Sequence, residues 1–358
     1  MSSLKQIALY AAYDLIYYIS EIIPEMELVR RLHPSDVING DKVKIVICPD
    51  NDYAVKFRET RKDLFLIGVK YTVGYSEDAQ YIAGLEFCKR SSCNLVLVRN
   101  LKDSISPHES YMVVTPEESR YHVTKDKDEA FSGLMTMAKN RSHLTFTRST
   151  VISGESVPWE SNLVPNALRT VVDYCIKRGA YKPFRGATVG HFACKLEETV
   201  FLTSKRRTNF NDLKDIGLVK VVTDGPDSVI AYGSKPSVGG QSQRIIFGDH
   251  KEMDCVVHFH CPIKEFSEVP QVSQYLFECG SMECGTNTSN GLKQFGNLKA
   301  VYLQEHGPNI VFNHEIDSQE VIDFIENNFD LDKKTGGFVS IEHGLQTPSV
   351  LDAAKELL

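Results

Sequence analysis

Three histidines are the residues in this chain best placed to do chemistry. Residues 253–262 read MDCVVHFHCP, an apolar run that leads straight into His258 and His260. A strand alternates its side chains between two faces, so these imidazoles share one face, about 7 Å apart along the chain. A second apolar stretch, 300–303, runs into Gln304-Glu305-His306-Gly307 and brings a third imidazole to a strand end. Neutral imidazoles held together suit zinc or a similar divalent ion, and three protein ligands leave a position open for water or substrate. The competing reading is of strand-end histidines with ordinary hydrogen bonds, packed in a core or at a surface.

The surrounding sequence carries a resemblance. KPSVGGQSQRIIFGDHKEMDCVVHFHCP (235–262), followed by AVYLQEHGPNIVF (300–312), resembles the metal-binding core of the class II aldolase/adducin family. That family has a Lys-Pro-Ser turn, a His-x-His after a hydrophobic strand and a later His-Gly after another. The resemblance implies metal ligands at His258, His260 and His306, with Zn2+ as the ion, or Mn2+, Fe2+ or Co2+ in its place. The family's Thr-x-Gly-Asn-x-Ser and Leu-Ile-Thr-Pro-Ser-Gly stretches, which hold a substrate phosphate or carboxylate, correspond to GATVGHFACKLEETVFLTS (186–204). Substrate-binding roles follow by resemblance for Thr188, Gly190, Thr203 and Ser204, and for Ser237 in the Lys-Pro-Ser turn. Two positions depart from the pattern: the Asn is His191, and Lys205-Arg206-Arg207 stands where Ser-Gly would follow. Lys205 adds a cation suited to an acidic substrate group.

The family's acid/base Glu, two residues after the Lys-Pro-Ser, is Gly239 here. Aldol cleavage needs a proton taken from a hydroxyl, so the simple aldolase mechanism lacks its base. SEVPQVSQYLFECGSMECG (267–285) resembles the segment of methylthioribulose-phosphate dehydratases, a branch of the same family, that supplies a Glu from a helix. By that resemblance Glu278 is the catalytic base. Glu305 ranks second because it points to the strand face opposite His306, and Tyr275 and Tyr302 are further proton donors to consider. The family commonly forms tetramers with sites at subunit boundaries, which implies a homo-oligomer.

Elements must position these residues. In the first half, 42–48 (KVKIVIC), 63–68 and 94–98 read as strands, and 52–61, 76–89 and 126–138 as helices. Strands alternating with helices predict α/β with a mainly parallel sheet. FLIGVKYTVG (65–74), CNLVLVRNL (93–101) and YHVTKDKDEAF (121–131) resemble the C-terminal half of phosphopantothenoylcysteine synthetases. In those enzymes a Lys and an Asn lie at the nucleotide site, which implies a nucleotide-like site at Lys70 and Asn100, with Asp14 in a further matching segment. Their glycine-rich nucleotide loop has no counterpart, and RRLHPSDVI (30–38) replaces their mobile Lys-Ile-Lys loop. A half-domain that kept the sheet and lost the ligase favours assembly over nucleotide binding.

The predicted organisation is α/β throughout. A Rossmann-like half-domain spans 1–140, a linker 141–163, an aldolase/adducin-like αβα domain with a mixed or antiparallel central sheet 164–345, and a tail helix 346–358. Residues 164–178 predict an amphipathic helix with Pro165 in its first turn, 186–204 two strands, and 318–328 a closing helix. Residues 211–213 and 218–222 continue the sheet pattern, and 230–232 starts an edge.

Composition narrows the class. Hydrophobic content of 42% and charged content of 24% are those of a soluble globular protein, and a net charge of −7 argues against a nucleic-acid surface. No apolar run reaches the length of a membrane span. Nine cysteines in apolar contexts and an N-terminus without a signal-peptide pattern predict reduced thiols and a cytoplasmic protein. Cys279 and Cys284 have no second pair and read as structural. The function implied is a metal-dependent lyase or isomerase, with aldolase, dehydratase or epimerase chemistry on a small hydroxy-carbonyl substrate, phosphorylated or not. The alternatives are a non-catalytic adducin-like oligomeric module, and a remnant of phosphopantothenate–cysteine ligase that needs a separate nucleotide-binding half.

Overall fold

The computed structural model describes residues 6–9, 28–29, 34–39, 43–101, 110–184 and 186–335. Asp14, residues 30–33 and the expected tail helix lie outside them. The chain divides into two compact units between His143 and Leu144.

The first unit contains strands β1 (Gln6–Leu9), β2 (Leu28–Val29), β3 (Val43–Cys48), β4 (Phe65–Val73), β5 (Leu95–Leu101), β6 (Ser110–Val114) and β7 (Arg120–Thr124). Its helices are α1 (Pro34–Asn39), α2 (Asn51–Thr60), α3 (Glu77–Ser91) and α4 (Lys127–Arg141). Among the described residues the sheet order is β2-β1-β3-β4-β5-β6-β7. The first five strands are parallel and the last two antiparallel. Ile45, Val46, Ile47 and Cys48 are all buried, as central parallel strands covered on both faces require, so the alternation read for 42–48 is not a sign of a half-exposed strand. Helix α3 starts where the Ser76 hydroxyl accepts the Ala79 N–H and ends at Ser92, which is left-handed. It lies so close to the sheet that a Cβ at Gly84 would sit 2.5 Å from Val98 Cγ2. The last turn of α4 is held by an ion pair between Arg141 and Glu117, at 3.1 Å, whose side chains are both fully buried.

In the second unit the strands are β8 (Arg148–Ile152), β9 (Pro183–Phe184), β10 (Ala187–Thr188), β11 (His191–Glu197), β12 (Val200–Thr203), β13 (Val219–Thr223), β14 (Ser228–Tyr232), β15 (Cys255–His258), β16 (Gln271–Val272), β17 (Lys293–Phe295), β18 (Leu298–Leu303) and β19 (Gly307–Phe312). The helices are α5 (Asn166–Lys177), α6 (Leu213–Ile216), α7 (Gly240–Asp249), α8 (Met282–Gly291) and α9 (Ser318–Asn328). The main sheet runs β16-β18-β19-β15-β11-β12-β13-β14-β8, with β17 beside β18. It is mixed, because β8 joins β14 and β16 joins β18 in parallel while the other pairs are antiparallel.

Strand alternation divides this sheet between two apolar layers. Cys194, Cys255, Val257, Ile310 and Phe312 pack with Val171 and Val172 of α5 and Val321 and Ile325 of α9. Ala193, Phe201, Val256 and Val311 pack with Ile246 and Phe247 of α7 on the other side. The result is αβα layering, with β15 near the middle of the sheet.

Three expectations change. The stretch 144–163, expected to be linker, belongs to the second unit: it supplies β8 and the fully buried Trp159. All five residues of β8 are exposed, so it shows no apolar pattern to read. Strand β14 is covered on its outer side by β8 and is therefore not an edge. Residues 211–213 form the end of a 3-10 turn and the start of α6 rather than sheet.

Candidate metal centre

His258 is the last residue of β15, where antiparallel pairing sets it directly opposite His191 of β11 and Asn309 of β19. His260 follows two residues on, and His306 sits in the tight turn between β18 and β19. Two glycines let the flanking chains close in on this strand end. A Cβ at Gly307 would lie 2.1 Å from the Phe259 carbonyl oxygen, and one at Gly190 would lie 2.5 Å from the His258 carbonyl oxygen. Gly190 also has φ +115°, which side-chain-bearing residues rarely adopt.

The three imidazoles converge. Their ligand atoms all lie within 4.8 Å of one another, and their ring centroids are 4.4 to 5.1 Å apart. Relative exposures are 1% for His258, 7% for His260 and 2% for His306. His258 Nδ1 lies 2.7 Å from the Pro308 carbonyl oxygen. A carbonyl only accepts, so Nδ1 carries the proton and Nε2 the lone pair. That Nε2 is buried and has no hydrogen-bond partner among the described residues. Burial, then the neighbouring His306, His191 and His260, hold His258 well below the usual imidazole range, which keeps the ring neutral. A buried lone pair without a donor, a tautomer fixed by a backbone carbonyl and an all-imidazole set fit a divalent ion of the zinc type.

His191 lies beside this set without belonging to it. Its ring stacks on His258 at 4.7 Å with 30° between planes, and it is 5% exposed. Nδ1 lies 2.8 Å from Gln243 Nε2 of α7. Burial, and secondarily His260, push its pKa down to about 3. His191 and Gly239, two residues noted above as departures, meet in space: a Cβ at Gly239 would sit 2.1 Å from the His191 ring. Sequence reasoning missed His191, Gln243 and Asn309 as neighbours of the centre. The register of β11 against β15 places His191 there, and nothing local in the sequence signals it.

The loops around the centre assemble much of the expected substrate set. Lys205 pairs with Pro236, and the Ser237 N–H donates to the Ser204 carbonyl at 2.9 Å, so Ser204, Lys205 and Ser237 come together. The Ser204 hydroxyl is fully buried with no partner among the described residues. Thr188 and Thr203 spend their hydroxyls on the backbone: Thr188 donates to Thr208 O and accepts from the Phe210 N–H, and Thr203 donates to Phe192 O. Glu278 is 8% exposed and stands in a turn ahead of α8, not on a helix as expected. Gly280, with φ +91°, breaks the chain there, and Ser281 caps α8 by accepting the Cys284 N–H. The Glu278 turn touches the Lys-Pro-Ser loop, since a Cβ at Gly280 would lie 2.7 Å from Val238 Cγ1.

Other expected groups are placed elsewhere. Glu305 is exposed in the turn with φ +57°, and Tyr302 packs against Phe329. In the first unit Asn100 accepts from the Thr72 hydroxyl and the Tyr75 N–H and donates to Tyr75 O, which fixes the turn into α3. Lys70 lies on the neighbouring strand β4, opposite Val98. None of the nine cysteines is in a disulfide, and all but Cys279 are buried.

Solved structures similar to parts of the chain include three of known or suggested role. L-fuculose 1-phosphate aldolase matches at 15% identity over 45% of this chain and 82% of its own, with a TM-score of 0.35. YgbL from Klebsiella pneumoniae, for which aldolase, epimerase or decarboxylase activity has been suggested, matches at 18% identity over 53% of this chain and 98% of its own, with a TM-score of 0.33. A DNA/pantothenate metabolism flavoprotein from Streptococcus pneumoniae matches at 10% identity over 38% of this chain and 100% of its own, with a TM-score of 0.30. The aldolase and pantothenate-metabolism resemblances read from the sequence both reappear among these structures. No family model and no curated protein matches the chain. Among the described residues no helix is long and apolar enough to cross a membrane.

Proposed function

We propose that the second unit is a divalent-metal lyase or isomerase acting on a small hydroxy-carbonyl compound, with His258, His260 and His306 as the metal ligands. The observation that carries this is the buried triad itself, with its ligand atoms within 4.8 Å of one another and a partnerless Nε2 on His258. A zinc-type ion bound there supplies a Lewis acid for a substrate carbonyl. The sequence resemblance adds the reaction class.

The chain's own groups do the rest. The partnerless Ser204 hydroxyl, Ser237 and the Lys205 ammonium bind an acidic group of the substrate, while Thr188 and Thr203 brace the loops that carry them. Gly190 lets the backbone approach the metal strand. Glu278, 8% exposed, takes a proton from the carbon or hydroxyl next to the carbonyl. A homo-oligomer, a tetramer by resemblance, and a cytoplasmic setting belong to the same proposal. For the first unit we favour an assembly role over nucleotide binding, because Asn100 is committed to its own turn.

The test is a screen of hydroxy-ketones and hydroxy-aldehydes, with and without phosphate, on zinc- or manganese-loaded protein, with Glu278→Gln as control. Turnover in the wild type and a loss of about 100-fold or more in the variant are expected for a general base. Full turnover in Glu278→Gln removes Glu278 from the role. A metal-holding protein inert to every compound favours the binding-module alternative.

A further inference from the structure

We infer that His191 is a positioning residue of this centre, a fixed hydrogen-bond donor whose Nε2–H orients an oxygen of the ligand beside the metal. The inference rests on the metal-centre reading and adds to it a group that the ligand triad does not contain.

Four observations meet at this ring. Strand register puts His191 directly across from His258, and the two rings stack at 4.7 Å, so His191 has a fixed place next to a ligand. Its atoms nonetheless fall outside the triad whose ligand atoms lie within 4.8 Å. Gln243, fully buried, presents its amide Nε2 to His191 Nδ1 at 2.8 Å. An amide nitrogen only donates, so Nδ1 accepts and the ring hydrogen sits on Nε2. Finally, no described residue hydrogen-bonds that Nε2.

Gly239 completes the arrangement. A side chain there would begin 2.1 Å from both Cδ2 and Nε2 of His191, so the imidazole edge occupies the space that any other residue at 239 would need. The same loop carries Ser237, whose N–H bonds the Ser204 carbonyl and so joins the substrate-side wall. A donor held by α7 on one nitrogen, stacked on a metal ligand and unpartnered on the other is arranged to act on something that arrives. A histidine retained for packing alone would need neither the buried glutamine nor the glycine.

The test uses the whole protein, stripped and reloaded with Co2+, whose visible absorption reports its coordination, and titrated with glycolate as the smallest hydroxy-carboxylate. Wild type should hold a single cobalt ion and shift its visible band with glycolate. His191→Phe keeps a ring against His258 but no donor; it should hold the same cobalt with an unchanged spectrum and bind glycolate about tenfold or more weakly. His191→Gln, which returns a donor, should recover most of that loss. A second measurement needs no variant: nitrogen NMR shifts of histidine-labelled, metal-free protein should report the Nε2–H tautomer for His191. A His191→Phe protein that binds glycolate as tightly as wild type overturns the inference, and so does one that has lost its cobalt, or an Nδ1–H tautomer in the NMR. A wild type that takes up no cobalt contradicts the metal centre itself and removes this inference with it.

Discussion

Replacing Gly190 with Ala should damage the metal centre far more than a one-carbon change suggests. Two costs can be separated. Gly190 has φ +115°, where a side-chain-bearing residue is strained by about 1–3 kcal/mol. The new Cβ would also sit 2.5 Å from the His258 carbonyl oxygen, and reaching 3.4 Å requires 0.9 Å of movement (3.4 minus 2.5). Neither β11 nor β15 can yield freely, because each is paired on both sides. Overpacking of this kind adds about 1–3 kcal/mol, for a combined loss of roughly 2–6 kcal/mol. A displacement of several tenths of an ångström at His258 also exceeds the tolerance of about 0.2 Å on metal–ligand distances. The assay is metal content together with urea unfolding followed by fluorescence of Trp159, the sole tryptophan and fully buried in the second unit. Gly179→Ala is the control: φ is +72° but nothing lies within 4 Å, so it should cost about 1 kcal/mol and leave metal content unchanged. A Gly190→Ala protein that matches wild type in both midpoint and metal content would refute the argument from close approach.

Two further outcomes follow from named groups. Folded His258 and His191 both have depressed pKa values, His191 at about 3 against an ordinary 6.5. Each ring's contribution to the stability of metal-free protein is therefore full above pH 6.5 and is lost as pH falls from there toward its own folded value, about 3 for His191. The loss is about 1.4 kcal/mol per pH unit for each ring, and a urea midpoint that stays flat from neutral pH down to the mid-acid range would contradict it. In the first unit, Arg141→Met removes the ion-pair partner of the fully buried Glu117 and should destabilise that unit by about 3–5 kcal/mol without changing metal content. Adding Glu117→Leu should restore most of that stability; a double variant no better than the single one would show that the pair does more than balance its own burial.

The sequence was most informative where structure is local. The three clustered histidines stand at strand ends, so His258, His260 and His306 could be chosen as candidate ligands from alternation, spacing and resemblance. Helices with clear periodicity and caps, such as α3 and α9, fall where the pattern puts them. What could not be read depends on partners distant in the chain. His191 acquires its place from the register of β11 on β15, and Gly239 is explained only once His191 stands above it. Strand β8 has no buried face and looks like linker, although it closes one side of β14. The dehydratase resemblance puts Glu278 on a helix, but Gly280 and the Ser281 cap delay that helix to Met282. Asn100 illustrates the converse: its residue type matched a nucleotide site, whereas its hydrogen bonds close a turn.

The central claim is the three-histidine metal centre, and the most direct measurement is the metal content of protein purified without chelator, set beside a His258→Ala/His260→Ala variant. The account predicts close to one zinc, manganese, iron or cobalt ion per chain in the wild type and none in the variant, with both chains folded. A wild type that is metal-free and no different in fold from the variant would contradict it and leave the three histidines as packing residues.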